Sequence, residues 1–179
     1  KRQKLDTSNS VHEVFEFILE RLRGYFTDQG VKPDTFEAVR SIQPTRLLDF
    51  SDRIQAVQKF RSLPEANSLA AANKRISHIL KKTEQVHNVI DSRLFSVTAA
   101  QELHKQVIAI EKIVVLKFKS RRYAEALTDL AQLRSTIDTF FDDVMVMDEN
   151  EKVRNNRIAL LANVNQLFST VADISLLQS

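Results

Sequence analysis

An all-α multi-helix bundle is the fold class that three observations predict. Only two glycines and three prolines occur in 179 residues, too few turn-formers for a many-stranded sheet. Apolar residues recur at the three- and four-residue spacing of a helix face along most of the chain. Capping sequences of the form Ser/Thr-x-x-Glu/Gln stand in front of several of these stripes.

The elements follow in order. Ser10-Val-His-Glu13 reads as a capping box, and Val11, Val14, Phe15, Ile18 and Leu22 form one face of a helix that starts near Val11 and stops near Gly30. Pro33-Asp34 opens a short second helix through Phe36 and Val39, ended by Pro44. A third runs from about Thr45 to Arg61 on the stripe Leu47, Phe50, Ile54, Val57 and Phe60. Ser62-Leu-Pro-Glu65 reads as a second box, opening a helix with Leu69, Ala72, Ile76, Ile79 and Leu80 inward. Val86, Val89 and Ile90 suggest a shorter amphipathic piece. Thr98-Ala-Ala-Gln101 begins the stripe Leu103, Val107, Ile110, Val114 and Phe118. After a break at Lys119-Ser120, one run carries Tyr123, Leu127, Leu130, Ile137, Phe141 and Val144, and a last helix spans Asn150 to about Leu176. Short connections make neighbours roughly antiparallel. There is no internal repeat.

A chain of 179 residues suits one domain with a substantial core. The absence of cysteine excludes disulfides, thiolate metal sites and cysteine nucleophiles, and fits a reducing compartment. No apolar run is long enough to span a membrane, and "KRQKLDTSNS" lacks the apolar core of a signal peptide. Because it does not begin with methionine, the chain reads as a piece of a longer polypeptide, with 1–10 a linker or arbitrary edge and 11–179 the helical domain. The net charge of +3 is segregated. Residues 1–134 hold 23 Lys and Arg against 16 Asp and Glu, a balance of +7, whereas residues 135–179 hold 3 against 7, a balance of −4. A basic body with an acidic end is compatible with phosphate binding over part of the surface.

Catalytic motifs are missing. His12, His78, His87 and His104 match no helical metal-pair spacing. Neither glycine lies in a phosphate-cradling loop, so no nucleotide cofactor is expected. Asp142 and Asp143 are adjacent on a helix and point apart, which fits capping or solvation better than paired acid–base work. Two clusters point instead to binding. In "AAANKRISHILKK", Lys74, His78, Lys81 and Lys82 share one side as a basic ridge, with Arg75 beside them, while Asn73 turns toward the apolar stripe. In "LKFKSRRYAEAL", Lys117, Lys119, Arg121 and Arg122 crowd a helix junction beside Tyr123, a mixture suited to holding phosphates and stacking a base, or simply a solvated face over a core tyrosine. The stretch "FFDDVMVMDENEKVRNNRIALL" adds a puzzle: Arg157 falls on the stripe of Val153, Leu160, Leu161 and Val164. Buried polar residues such as Asn73 and Arg157 hydrogen-bond across helices and set register, unless they belong to a site.

"VFEFILERLRGYFTDQG", "LAAANKRISHILKK", "FFDDVMVMDENEKVRNNRIALL" and the closing "LFSTVADISLLQ" closely resemble the carboxy-terminal region of the beta subunits of bacterial tetrameric glycyl-tRNA synthetases. The resemblance runs from about Val11 to Gln178, with His78 standing where the family usually has asparagine, and Lys1 to Ser10 matching poorly. It implies an all-helical anticodon-binding domain similar to that of arginyl-tRNA synthetases, the DALR type, in a cytoplasmic enzyme that uses ATP to attach glycine to its tRNA. The implied partners are glycine tRNA and a catalytic alpha subunit in a heterotetramer. The activation site lies in that other subunit, so the fragment is expected to be non-catalytic, without cofactor or metal. On this reading Lys74, Arg75, Lys81, Lys82, Arg121 and Arg122 hold phosphates, and Tyr123, Arg154 and Asn155 meet bases. Arg157 pairs with Asp142 or Asp143 and, with Asn73, serves structure. The alternative is a bundle that docks a partner subunit through an exposed apolar patch.

Overall fold

The structure is a computed structural model and describes residues 7–83 and 89–178. All its regular elements are helical: α1 (Thr7–Asp28), α2 (Pro33–Arg40), α3 (Leu47–Arg61), α4 (Ala66–Lys81), α5 (Thr98–Lys119), α6 (Tyr123–Ala131), α7 (Arg134–Asp143) and α8 (Glu151–Ser169). Two 3-10 turns, Ser92–Leu94 and Ile174–Leu176, precede α5 and follow α8. α3 and α5 pack on α6, α5 also packs on α7, and α4 packs on α8 and the last 3-10 turn.

The expected stripes form the core. Phe26, Phe36 and Phe50 make one aromatic cluster, with ring centroids 5.1 to 6.3 Å apart. Phe60 meets Phe168 at 6.5 Å. Ile54, Val57, Leu69, Ile76, Leu103, Val107, Leu127, Leu130, Ile137, Leu160 and Leu161 are wholly buried around them. Removing one such phenylalanine leaves a cavity and costs about 3–5 kcal/mol. Gly30 ends α1 at φ +80, and the Val31 amide donates to the Phe26 carbonyl at 2.9 Å, a left-handed termination that glycine makes without strain.

Local sequence misplaces several ends. α1 already runs from Thr7, so Ser10 lies inside the helix rather than in front of it. Ser62 does not cap α4: its hydroxyl donates to the Lys59 carbonyl at 2.7 Å and closes α3 instead. Thr98 is the first residue of α5 and not its cap. Leu47 remains 43% exposed at the edge of its stripe. The single run expected from Tyr123 to Val144 is two helices parted by a turn at Gln132–Leu133, where packing on α5 overrides continuous helical propensity. Phe140 rather than Phe141 is then the fully buried ring. α8 stops at Ser169, because the chain turns back and the Asp173 amide donates to the Ala38 carbonyl at 2.8 Å. Of the amphipathic piece expected around residue 90, Val86 lies outside the described residues, as does His87. Val89 is exposed and Ile90 half-buried, ahead of the 3-10 turn.

Candidate nucleic-acid interface

After α7 the chain leaves the helix with Val144 extended and then bends, and successive side chains alternate between core and solvent. Val144 and Val146 point into the core at 4% and 6% exposure, while Met145 and Met147 stand out at 74% and 59%. The loop owes this posture to α8. Arg157 reaches out of the buried stripe and donates from Nη1 to the Met145 carbonyl at 2.6 Å and to Asp148 Oδ2 at 2.7 Å. One turn earlier, Arg154 donates from Nη1 to the Asp148 carbonyl at 2.7 Å. Asn150 caps α8, its side-chain oxygen accepting from the amides of Lys152 and Val153.

The expected pairing of Arg157 with Asp142 or Asp143 is therefore corrected. Its carboxylate partner is Asp148, because α7 ends at Asp143 and leaves both of its last aspartates exposed to solvent. Arg154 is likewise spent on the loop and half-buried, and Asn155 is half-buried beside it. The other asparagine of "RNNR", Asn156, is buried and pairs twice with the Asp91 backbone, accepting from its amide at 2.7 Å and donating to its carbonyl at 3.0 Å. Sequence reasoning passed over Asn156, although a buried amide beside Arg157 had the same claim to a structural role.

The exposed methionines form one side of a groove of about 990 Å³. Lys74, Arg75 and His78 of α4 also line it, as do Asp142 and Asp143 at the end of α7. The Arg75 guanidinium lies 4.1 Å from the Phe141 ring centroid and bridges α4 to α7. Lys81 and Lys82 extend the basic ridge past the groove as exposed side chains at the end of α4. Asn73 faces inward as expected, 1% exposed, donating to the Leu69 carbonyl at 3.0 Å. Asp142, Asp143, Met145 and Met147 join the Lys74 and His78 side of the expected ridge, a grouping the sequence alone did not bring together. The alternation Val-Met-Val-Met directly after a helix was the available sign of a segment with alternate side chains buried and exposed.

The second cluster is a smaller hollow of about 340 Å³, lined by Asp52, Lys59, Arg121, Arg122 and Glu125 among others. Arg121, at φ 55, lies 3.6 Å from Asp52, and Arg122 lies 3.3 Å from Glu125, so carboxylates offset both charges. Tyr123 is not a stacking platform here. It is 5% exposed, the Arg53 guanidinium covers its ring at 4.4 Å, and its hydroxyl donates to Asp49 at 2.6 Å while accepting from Arg53 at 3.0 Å. Burial and the Asp49 hydrogen bond push its phenol up to about 12. Burial would raise the Asp49 carboxyl, but the Tyr123 and Arg53 hydrogen bonds outweigh it and hold it below its ordinary value.

Among the described residues no helix is long and apolar enough to cross a membrane, and no group of three or more His, Cys, Asp or Glu is arranged to hold a metal ion. Residues 69–175, from α4 to the last 3-10 turn, match the family model of the DALR anticodon binding domain. The chain is 44% identical over 175 residues to a glycine–tRNA ligase beta subunit from Shewanella amazonensis, covering 97% of this chain and 25% of that protein. Beta subunits from Pasteurella multocida and Coxiella burnetii are each 46% identical over 176 residues, covering 98% and 97% of this chain and 26% of those proteins. The chain thus spans about a quarter of the length of these relatives. With an all-helical bundle, a cationic helix along an open groove and a family match over more than half its length, the chain belongs to the DALR anticodon binding domain family.

Proposed function

We propose that this chain is the anticodon-binding part of a glycine–tRNA ligase beta subunit and grips the anticodon arm of glycine tRNA. The observation that carries this reading is the row of exposed cations on α4, Lys74, Arg75, Lys81 and Lys82, set along an open groove in a chain of this family. Cations on one face neutralise phosphates and release counterions, while the groove leaves room for unstacked bases. The fragment then binds without catalysing and without a cofactor of its own. Activation of glycine with ATP falls to a catalytic alpha subunit of the same cytoplasmic heterotetramer.

The test is binding of the purified chain to glycine tRNA and to an anticodon-substituted version over a salt series. Tighter binding of the unsubstituted tRNA supports the reading, and equal affinity for both refutes it. A second reading, docking of another subunit, draws on α5, which exposes Ile108, Ile113, Val115 and Leu116. Association with the alpha subunit that is lost on Leu116→Lys, with tRNA affinity unchanged, would support it.

A further inference from the structure

Three of the four residues in "RNNR" tie other parts of the chain to the first turns of α8. Arg154 and Arg157 hold the loop at 145–149, and Asn156 holds Asp91, in the connection that follows the basic ridge of α4. We propose that Asn156 is a positioning residue for tRNA binding, which sets the segment after the ridge against the groove loop; this rests on the RNA-binding reading above.

Asn156 is 4% exposed, and both ends of its amide are engaged by one residue. Its oxygen accepts from the Asp91 amide at 2.7 Å and its nitrogen donates to the Asp91 carbonyl at 3.0 Å, across 65 residues of sequence. One end of a side-chain amide donates and the other accepts, so it matches the N–H and C=O of a single residue in one orientation only. An aliphatic residue here would leave both backbone groups without these partners and let the connection slide along α8. Being buried, Asn156 does not meet RNA itself. Its effect on tRNA passes through what it holds.

Asp91 in turn organises the path into α5. Its carboxylate accepts from the Arg93 amide at 3.0 Å and from Arg93 Nε at 2.9 Å, opening the 3-10 turn Ser92–Leu94. Phe95 follows, 4% exposed in the core, and its carbonyl accepts from Gln101 Nε2 on α5 at 2.7 Å. The chain between the ridge and α5 is therefore referenced to α8 at Asp91. The next residue along α8, Arg157, references the groove loop through the Met145 carbonyl at 2.6 Å. Consecutive side chains of one helical turn carry the two segments, and the rigid helix fixes the spacing between them. A tRNA that lies on the cations of α4 and reaches the groove depends on that spacing, since misplaced supports loosen a site that keeps all its contacting groups.

The experiment measures the affinity of the 179-residue chain for glycine tRNA and for an anticodon-substituted version, each below the unfolding transition of the variant used. Two variants probe the anchor: Asn156→Ala, and the near-isosteric Asn156→Asp, which keeps the acceptor for the Asp91 amide and loses the donor. Leu160→Ala, a cavity in the core one turn further along α8, controls for lost stability alone. Asn156→Ala is expected to lower the ratio of the two affinities severalfold toward one, Asn156→Asp to fall between it and the unmodified chain, and Leu160→Ala to keep the ratio. An unchanged ratio in Asn156→Ala, or in Asn156→Asp where the alanine variant does not fold, overturns the positioning role and leaves the interface standing. An equal fall in Leu160→Ala does the same. Equal affinity of the unmodified chain for both tRNAs overturns both readings.

Discussion

Arg53 lies over the ring of Tyr123, its guanidinium 4.4 Å from the ring centroid, and also donates to the tyrosine hydroxyl at 3.0 Å. The same guanidinium pairs with Asp49 at 2.7 Å and donates to the Val171 carbonyl at 3.0 Å, just past α8. One arginine thereby ties α3, α6 and the end of α8 together. Tyr123 accordingly serves stability. Tyr123→Phe keeps the packing and strands the Asp49 acceptor, so it should lower stability by about 1–2 kcal/mol and leave tRNA affinity unchanged. Urea unfolding and tRNA titration of the variant decide this.

The same phenol sets an alkaline limit. Its folded value of about 12 lies above the unfolded 10, so its contribution is complete below pH 10 and is lost as pH climbs toward 12. Tyrosinate absorbance in a Tyr25→Phe background, where Tyr123 is the remaining tyrosine, should rise at a pH well above that of the urea-unfolded chain. Coincident titration curves would contradict the buried geometry.

Asp34 sets an acid limit. Burial alone would raise its carboxyl, but the Gln178 amide at 2.7 Å and Arg61 at 2.8 Å outweigh that and hold it below 3.8. A depressed carboxyl stabilises above the unfolded value and loses that contribution as pH falls through the folded one. Stability should therefore decline below pH 3.8, and Asp34→Asn should flatten this acid limb while costing about 1–3 kcal/mol at neutral pH. Thermal midpoints measured across pH compare the two chains.

Arg157→Ala removes a buried side chain, 7% exposed, that holds the carbonyl of Met145 and the carboxylate of Asp148. Asp148 keeps some access to solvent, its side chain being 31% exposed, so the cost should be about 2–4 kcal/mol rather than that of a fully stranded charge. RNA affinity should fall as well, because Met145 and Met147 lose their posture. Chemical unfolding and RNA titration below the variant's unfolding transition give both quantities.

Lys74→Ala, Lys81→Ala and Lys82→Ala should each weaken all tRNAs alike and reduce the salt slope by about 0.9 per lost phosphate contact. Arg121→Ala with Arg122→Ala should change the slope less, since Asp52 and Glu125 already offset those charges. A larger effect at the junction than on α4 would relocate the interface.

The helical class, most of the core and the basic ridge of α4 are legible in residue order alone. A stripe such as Phe50, Ile54, Val57 and Phe60 follows from helical period, and a lysine row at three- and four-residue spacing stays together however the helix packs. The inward turn of Asn73 and the misplaced charge of Arg157 are legible in the same way. Partners are not. Arg157 had several acidic residues within reach in sequence, and its choice of Asp148 depended on where α7 ends and how the following loop extends. Tyr123 reads equally as a platform or as core until α3 brings Arg53 and Asp49 against it across 70 and 74 residues of sequence. The groove itself joins α4 to a segment beginning some sixty residues later in sequence. Spacing along a chain determines which side chains share a face of one helix, whereas a site between elements exists only once packing of the apolar core has brought those faces together.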